Sequence, residues 1–203
     1  YGSEDGLYIN GHVTGNSPYL TFEWKAGKDG EHHEVKTQLI GEYNFANALA
    51  AVTIGHFFDV ESGKIDTALK EYTPQNNRSQ LKQTADNTLI IDAYNANPTS
   101  MQASISNFHN MEIDNKMLIL GDMRELGKDG PKEHQKIVDF LTECGFKDVM
   151  LVGEQFAAAR HDFPTYPDAP AVIEALQKNK PHGKTILIKG SNGIKLSTVI
   201  DYL

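Results

Sequence analysis

Apolar and polar positions alternate along this chain in two different rhythms. In YLTFEW, Leu20, Phe22 and Trp24 alternate with Tyr19, Thr21 and Glu23, and EVKTQL repeats the pattern with Val35, Thr37 and Leu39. A period of two belongs to a strand with one buried face. The intervening KAGKDGEHH carries the Asp29-Gly30 signal of a hairpin connection. The first forty residues therefore read as a small antiparallel meander. The rhythm then turns helical. Phe45, Leu49, Val52 and His56 or Phe57 recur at helical spacing in an alanine-rich segment, and a second short helix is predicted around Ile65, Leu69 and Tyr72. TPQNNRSQ breaks the periodicity and reads as a linker or domain boundary.

After the linker, short apolar runs alternate with amphipathic segments. The predicted strands are TLIID (88–92), MLILG (117–121), VMLVG (149–153) and TILIKG (185–190). Met101, Ile105 and Phe108 share one helical face. Ile137, Leu141 and Cys144 share another, and Leu196, Val199 or Ile200, and Leu203 a third. Nearly unbroken apolar strands between such helices predict a parallel sheet covered on both faces. The fold class is thus α/β: a Rossmann-like domain with a mostly parallel sheet, preceded by a hairpin and two helices. In such sheets ligands lie beyond the carboxyl ends of the strands, where Asp92, Asp122, Glu154 and Lys189 fall.

Composition narrows the function. The chain of 203 residues has a formal charge of −8 and no apolar run of membrane-spanning length, which argues against a general nucleic-acid surface and against membrane insertion. Cys144 is the sole cysteine, so no internal disulfide or thiolate metal cluster is expected, in keeping with a reducing compartment. The chain starts YGSEDG, without methionine or signal-peptide pattern, and is expected to be a cut or processed piece.

Five stretches carry candidate chemistry. In DAYNANP, Asn97 and Pro98 suit a helix start, as cap and first helical residue. Asp92 at its strand end is either a turn-former or an acceptor for ribose hydroxyls. In GEYNFANALAA, Asn44 and Asn47 share a helical face. Either Asn44 caps the helix and Asn47 is solvated, or the two match the donor and acceptor edge of adenine, with Tyr43 stacked beside them. Arg78 in NNRSQ is a solvated linker charge or a phosphate contact. GDMRELG sets Asp122 and Glu125 three apart, either to bind a cation or amine or to satisfy turn amides and Arg124. KGSNG is a flexible connector or, through Lys189, Ser191 and its amides, an anion pocket. His32 and His33 read as a solvated turn, His134 as an exposed residue at a helix start, and Cys144 as a buried thiol. No phosphate-loop motif (GxxxxGK followed by Ser or Thr) and no GxGxxG occurs.

GEYNFANALAA, the arginine of NNRSQ, IIDAYNANPTSM, LILGDMRELG with His134 downstream, and LIKGSNG follow one another in an order that resembles the Mur ligases, the ATP-dependent amide-forming enzymes of bacterial peptidoglycan assembly. DAYNANPTSM with GDMRELG is similar to the branch that joins D-alanyl-D-alanine to UDP-N-acetylmuramoyl-tripeptide. The resemblance covers essentially the whole chain. It implies that residues 1–77 are the tail of the family's central ATPase domain and that 78–203 are its complete C-terminal Rossmann-like domain. It also implies that the phosphate loop, the magnesium ligands and the uridine-nucleotide domain lie upstream, so that these 203 residues alone are inactive.

Family roles carried over by position give ATP contacts at Tyr43, Asn44, Asn47, Arg78 and Asp92, with Arg78 on the terminal phosphate as the catalytic residue. They put the incoming dipeptide near Tyr94, Asn97, Asp122, Lys189 and Ser191. Tyr43 stands where histidine is usual, and Asn77 where a glycine often precedes the arginine. The implied reaction phosphorylates the tripeptide's terminal carboxylate with ATP and Mg2+. The dipeptide amine then attacks the acyl phosphate. A cytoplasmic, monomeric enzyme of cell-wall synthesis is expected. Another Mur-type or folylpolyglutamate-type amide ligase is the alternative. A nicotinamide dehydrogenase predicts a glycine-rich turn where DAYNANP stands, and a receiver module predicts clustered acids near its first strand where only Asp92 occurs.

Overall fold

In a computed structural model, which describes residues 1–28 and 30–203, the two rhythms separate into two units, Tyr1–Pro74 and Gln75–Leu203. Asp29, half of the expected hairpin signal, lies outside the described residues. The first unit holds β1 (Ile9–Asn16), β2 (Tyr19–Ala26) and β3 (His33–Ile40) as an antiparallel meander. The predicted alternation decides which face is buried: Leu20, Phe22, Trp24 and Val35 are at most 1% exposed. They pack with Ala48, Leu49 and Val52 of α1 (Phe45–Phe57) and Ile65 of α2 (Ser62–Glu71).

One open alternative in this unit is resolved and one expectation needs correcting. Of the pair His56 or Phe57, only His56 turns inward, receiving a 2.7 Å hydrogen bond from or giving one to the Tyr8 hydroxyl, while Phe57 is exposed. His33 is not in a solvated turn. It sits in β3 directly across from Trp24, its ring stacked at 4.4 Å. Its Nδ1 lies 2.8 Å from Asp66 Oδ2, and Trp24 Nε1 donates to Asp66 Oδ1 at 2.8 Å. Asp66 occupies the apolar stripe of α2 beside Ile65, and these two partners satisfy its buried carboxylate.

The second unit is a six-stranded sheet in the order β4-β5-β9-β6-β7-β8. The four predicted strands are β5 (Thr88–Asp92), β6 (Lys116–Gly121), β7 (Val149–Val152) and β9 (Thr185–Lys189), all parallel. Two short strands widen the sheet: β4 (Gln80–Gln83), antiparallel to β5, and β8 (Thr165–Tyr166). The chain runs from β5 through α3 (Pro98–Asn110) to β6, then through α4 (Gly130–Glu143) to β7. After α5 (Glu154–Ala158) and β8, α6 (Ala169–Lys178) carries it back to β9, which inserts between β5 and β6. Right-handed crossovers running in opposite directions put α6 and α3/α4 on opposite faces.

Leu89, Ile91, Ile119 and Ile188 accordingly form one cluster with Val172 and Leu176 of α6. Ile90, Leu118, Leu120 and Leu187 point the other way and are equally buried. The C-terminal segment Leu196–Tyr202 is a 3-10 helix rather than the α-helix its spacing predicts. Three consecutive β-branched residues, Thr198 to Ile200, disfavour α geometry, yet Leu196, Val199, Ile200 and Leu203 still reach the core.

Candidate functional site

The sheet's direction of connection reverses around β9, and three loops meet there at the carboxyl ends of β5, β9 and β6. The loop after β5 is DAYNANP. Ala93 and Ala96 face inward and are buried, so Tyr94 and Asn95 are turned out and exposed. Asn97 caps α3: its side chain accepts from Ser100 N at 2.8 Å, and Ser100 Oγ accepts from Asn97 N at 3.1 Å, with Pro98 opening the helix. Asp92 ends β5 opposite Lys189 of β9. Its Oδ2 receives Lys189 Nζ at 2.5 Å and Ser104 Oγ at 3.2 Å.

Arg78 comes to the same loop from the start of the unit. Its guanidinium lies over the Tyr94 ring, 3.8 Å from the centroid. The backbone around it is held in an unusual shape, with Asn76, Asn77 and Ser79 at φ 59°, 58° and 47°. Asparagine tolerates this left-handed region better than most residues. Gln80 Oε1 braces the turn by accepting from Asn77 N at 2.8 Å.

The loop after β6 is GDMRELG. Asp122, 6% exposed, accepts from Gln155 N through Oδ2 and from Phe156 N through Oδ1, each at 2.9 Å. It thereby satisfies the first turn of α5. Its carboxylate lies across Gly153, where φ is 120° and a Cβ would collide with it. His134, expected on an exposed helix start, is 0% exposed. Met123 N donates to its Nε2 at 3.0 Å, and its Nδ1 is 2.7 Å from the Gly130 carbonyl oxygen. The ring is thus held at both nitrogens by backbone groups, and Nε2 also lies 3.5 Å from Asp122 Oδ1.

The loop after β9, KGSNG, ties the other two together. Ser191 N donates to the Asp122 carbonyl at 3.2 Å, and Ser191 Oγ accepts from Arg124 N at 2.8 Å. The Arg124 guanidinium packs on Gly193 so closely that a side chain there would collide with it. Lys189 and Ser191, predicted to face a ligand, are 1% and 5% exposed. Beside this junction Asp122, Arg124, Glu125, Glu154, Gln155 and Pro167 help line an open cleft of about 390 Å³. Arg124, Glu125 and Glu154 are exposed, so the cleft offers both charge signs to a small zwitterion.

In the first unit, Tyr43, Asn44 and Asn47 lie at the start of α1. The Tyr43 ring folds over Gly41, whose φ of 90° leaves room for no Cβ. Asn44 Nδ2 donates to the Ile40 carbonyl at 2.8 Å, and Asn47 Nδ2 to Asn44 Oδ1 at 3.3 Å. Asn44 stands at the N-cap of α1 without the side-chain cap hydrogen bond that its alternative role predicts. Ser104 and Gln155 went unnoticed in the sequence. Ser104 had a signal: it lies beside Ile105 on the buried face of α3, where a hydroxyl needs a partner.

Shifted ionisations lie outside these loops. Hydrogen bonds from Lys180 and His182 hold the Asp86 carboxyl below its usual value, and burial pushes Lys116 down. Burial, helped by Glu143, pushes the Cys144 thiol up. This cysteine is half-buried just past the end of α4 rather than enclosed in its apolar face. Among the described residues no group of three or more His, Cys, Asp or Glu side chains is placed to hold a metal ion. No helix among them is long and apolar enough to cross a membrane.

Comparison with known proteins shows the family and the fold. The family model described as Mur ligase, glutamate ligase domain matches residues 77–192. UDP-N-acetylmuramoyl-tripeptide--D-alanyl-D-alanine ligase of Bacillus subtilis is 29% identical, the match covering 91% of this chain and 44% of the relative. The crystal structure of MurF from Acinetobacter baumannii superposes with a TM-score of 0.79 at 25% identity, over 96% of this chain and 44% of that one. The MurF ligase of Thermotoga maritima in complex with ADP shares the fold, with a TM-score of 0.78 at 16% identity over 96% and 45% of the two chains. The chain thus spans less than half the length of the relatives it matches.

Proposed function

The chain belongs to the Mur ligase family, and on that premise we propose that it forms part of an ATP-dependent ligase joining D-alanyl-D-alanine to UDP-N-acetylmuramoyl-tripeptide in cytoplasmic peptidoglycan precursor synthesis. Residues 1–77 then belong to the central ATPase domain, and 78–203 form the C-terminal domain of a monomeric enzyme. The observation that carries the reading is the meeting of the DAYNANP, GDMRELG and KGSNG loops at the carboxyl edge of the sheet, with Arg78 stacked on the first of them.

Each residue then has a task suited to its chemistry. The carboxamides of Asn44 and Asn47 face the adenine edge, with Tyr43 beside the base, and the Asp92 carboxylate accepts from ribose hydroxyls. Arg78 meets the terminal phosphate. Stacking on Tyr94 covers the flat face of the guanidinium and leaves its in-plane N–H donors open to phosphate oxygens. A cation already in place offsets the charge of the moving phosphoryl group without reorganisation. The tripeptide carboxylate takes the terminal phosphoryl group of ATP and ADP leaves; the dipeptide amine, its ammonium proton given up to solvent, attacks the acyl carbon, and the C–O bond to phosphate breaks as the nitrogen loses its second proton. Tyr94 and Asn97 border the approach of the dipeptide, and the cleft beside Asp122 receives it, Arg124 suiting its carboxylate and Glu125 or Glu154 its ammonium.

The test is phosphate release by a full-length protein carrying these residues, given ATP, magnesium and the UDP-linked tripeptide, with and without D-alanyl-D-alanine. Release that requires the dipeptide and collapses in Arg78→Ala is the expected result. Release indifferent to the dipeptide removes the substrate assignment.

A further inference from the structure

We propose that Lys189 touches neither nucleotide nor dipeptide and is instead a positioning residue that sets the Asp92 carboxylate and the loop behind it. The inference deepens the ligase reading and rests on it. Three observations carry it. The Lys189 side chain is nearly inaccessible, so its ammonium has no open path to a ligand. Its position on β9 pairs directly with Asp92 on β5, which makes the ion pair a consequence of strand register rather than of a mobile side chain. And its Nζ has two partners in the fold, Asp92 Oδ2 at 2.5 Å and the Asn95 carbonyl at 3.2 Å.

Those contacts have a direction. Lys189 and Ser104 both donate to Oδ2, so that oxygen is held by the fold and these two contacts leave the other, Oδ1, unengaged. The bond to Asn95 fixes the middle of DAYNANP, the stretch that presents Tyr94 and the ring under Arg78. Removing the ammonium alone leaves a half-buried carboxylate without its counter-ion, which is the costly way to break such a pair, whereas removing both charges is tolerated far better. The lysine is thus felt chiefly at the nucleotide, through Asp92, and more weakly by the dipeptide, through the loop that carries Tyr94.

The full-length ligase with Lys189→Met, Asp92→Asn, and the double variant tests this by steady-state kinetics, each substrate varied in turn. Lys189→Met is expected to raise the KM for ATP about ten-fold or more, the scale of one lost charge-assisted hydrogen bond, with the KM for D-alanyl-D-alanine within about two-fold of wild type. The double variant is expected to be no worse than the poorer single one, because both substitutions break the same pair. A higher dipeptide KM with an unchanged ATP KM overturns the proposal, and so do losses that multiply in the double variant. If Lys189→Met fails to fold, the double variant is read against Asp92→Asn: ATP and dipeptide KM values equal to those of Asp92→Asn support the proposal, and a further rise in the dipeptide KM overturns it. A wild type without dipeptide-dependent turnover strikes at the ligase reading itself, whereas an active wild type matched by Lys189→Met strikes only at this inference.

Discussion

Replacing Asp122 with alanine should loosen the first turn of α5 and leave most of the sheet intact. The carboxylate accepts two backbone N–H groups, from Gln155 and Phe156, both at 2.9 Å. Hydrogen bonds to a charged acceptor contribute about 1.5–3 kcal/mol each. Phe156 is fully buried and its amide finds no substitute, while Gln155 is half-buried and its amide regains water. The net loss is therefore about 2–4 kcal/mol, below the sum of two full bonds. By the relation of about 1.4 kcal/mol per factor of ten, local opening becomes roughly 30-fold to 700-fold more frequent. Native-state hydrogen exchange reads this directly, as faster exchange at the Gln155 and Phe156 amides. Asp122→Asn keeps one acceptor and should fall between alanine and wild type. Unchanged exchange at both amides in Asp122→Ala would refute the assignment of Asp122 as the organiser of this turn.

Other consequences follow from single contacts. Asn97→Ala removes the reciprocal cap of α3 and should cost about 1 kcal/mol in urea unfolding, with Asn97→Ser recovering most of it. Asp86 contributes through Lys180 and His182, and its folded pKa lies below its ordinary value of 3.8. That contribution is complete above the ordinary value and disappears as pH falls through the lower folded one, so Asp86→Asn should flatten the acid limb of a stability profile in that window. A profile unchanged by the substitution contradicts the assignment. The Cys144 thiol is raised by burial and by Glu143, so iodoacetamide should label it more slowly than a free thiol at pH 8, with a rate still climbing at higher pH.

What the sequence made legible is what periodicity encodes. The four parallel strands and the buried stripes of α3 and α4 follow from apolar spacing, and Asn97-Pro98 announces its own helix start. The burial of His134 does have a sequence signal: His134, Ile137, Val138 and Leu141 are spaced three, four and seven apart on one buried face. Asp66 gives the same signal beside Ile65 in α2, an acid on an apolar stripe that needs a buried partner. β4 and β8 were not legible, because QLKQ and TY have no rhythm of their own and become strands only by pairing at the sheet edges. In the candidate site the residue types were readable but their directions were not. Lys189 looks in sequence like a ligand-facing cation, and only the register of β9 against β5 turns it onto Asp92.

The most direct test of the account is the product. A full-length protein carrying these residues is incubated with ATP, magnesium, UDP-N-acetylmuramoyl-tripeptide and D-alanyl-D-alanine, and the nucleotide fraction is weighed by mass spectrometry. The account predicts a species heavier than the tripeptide nucleotide by one D-alanyl-D-alanine less one water, formed with one ADP per ligation and absent without ATP. ADP formed without that species, or an added glutamate in place of the dipeptide, would contradict it.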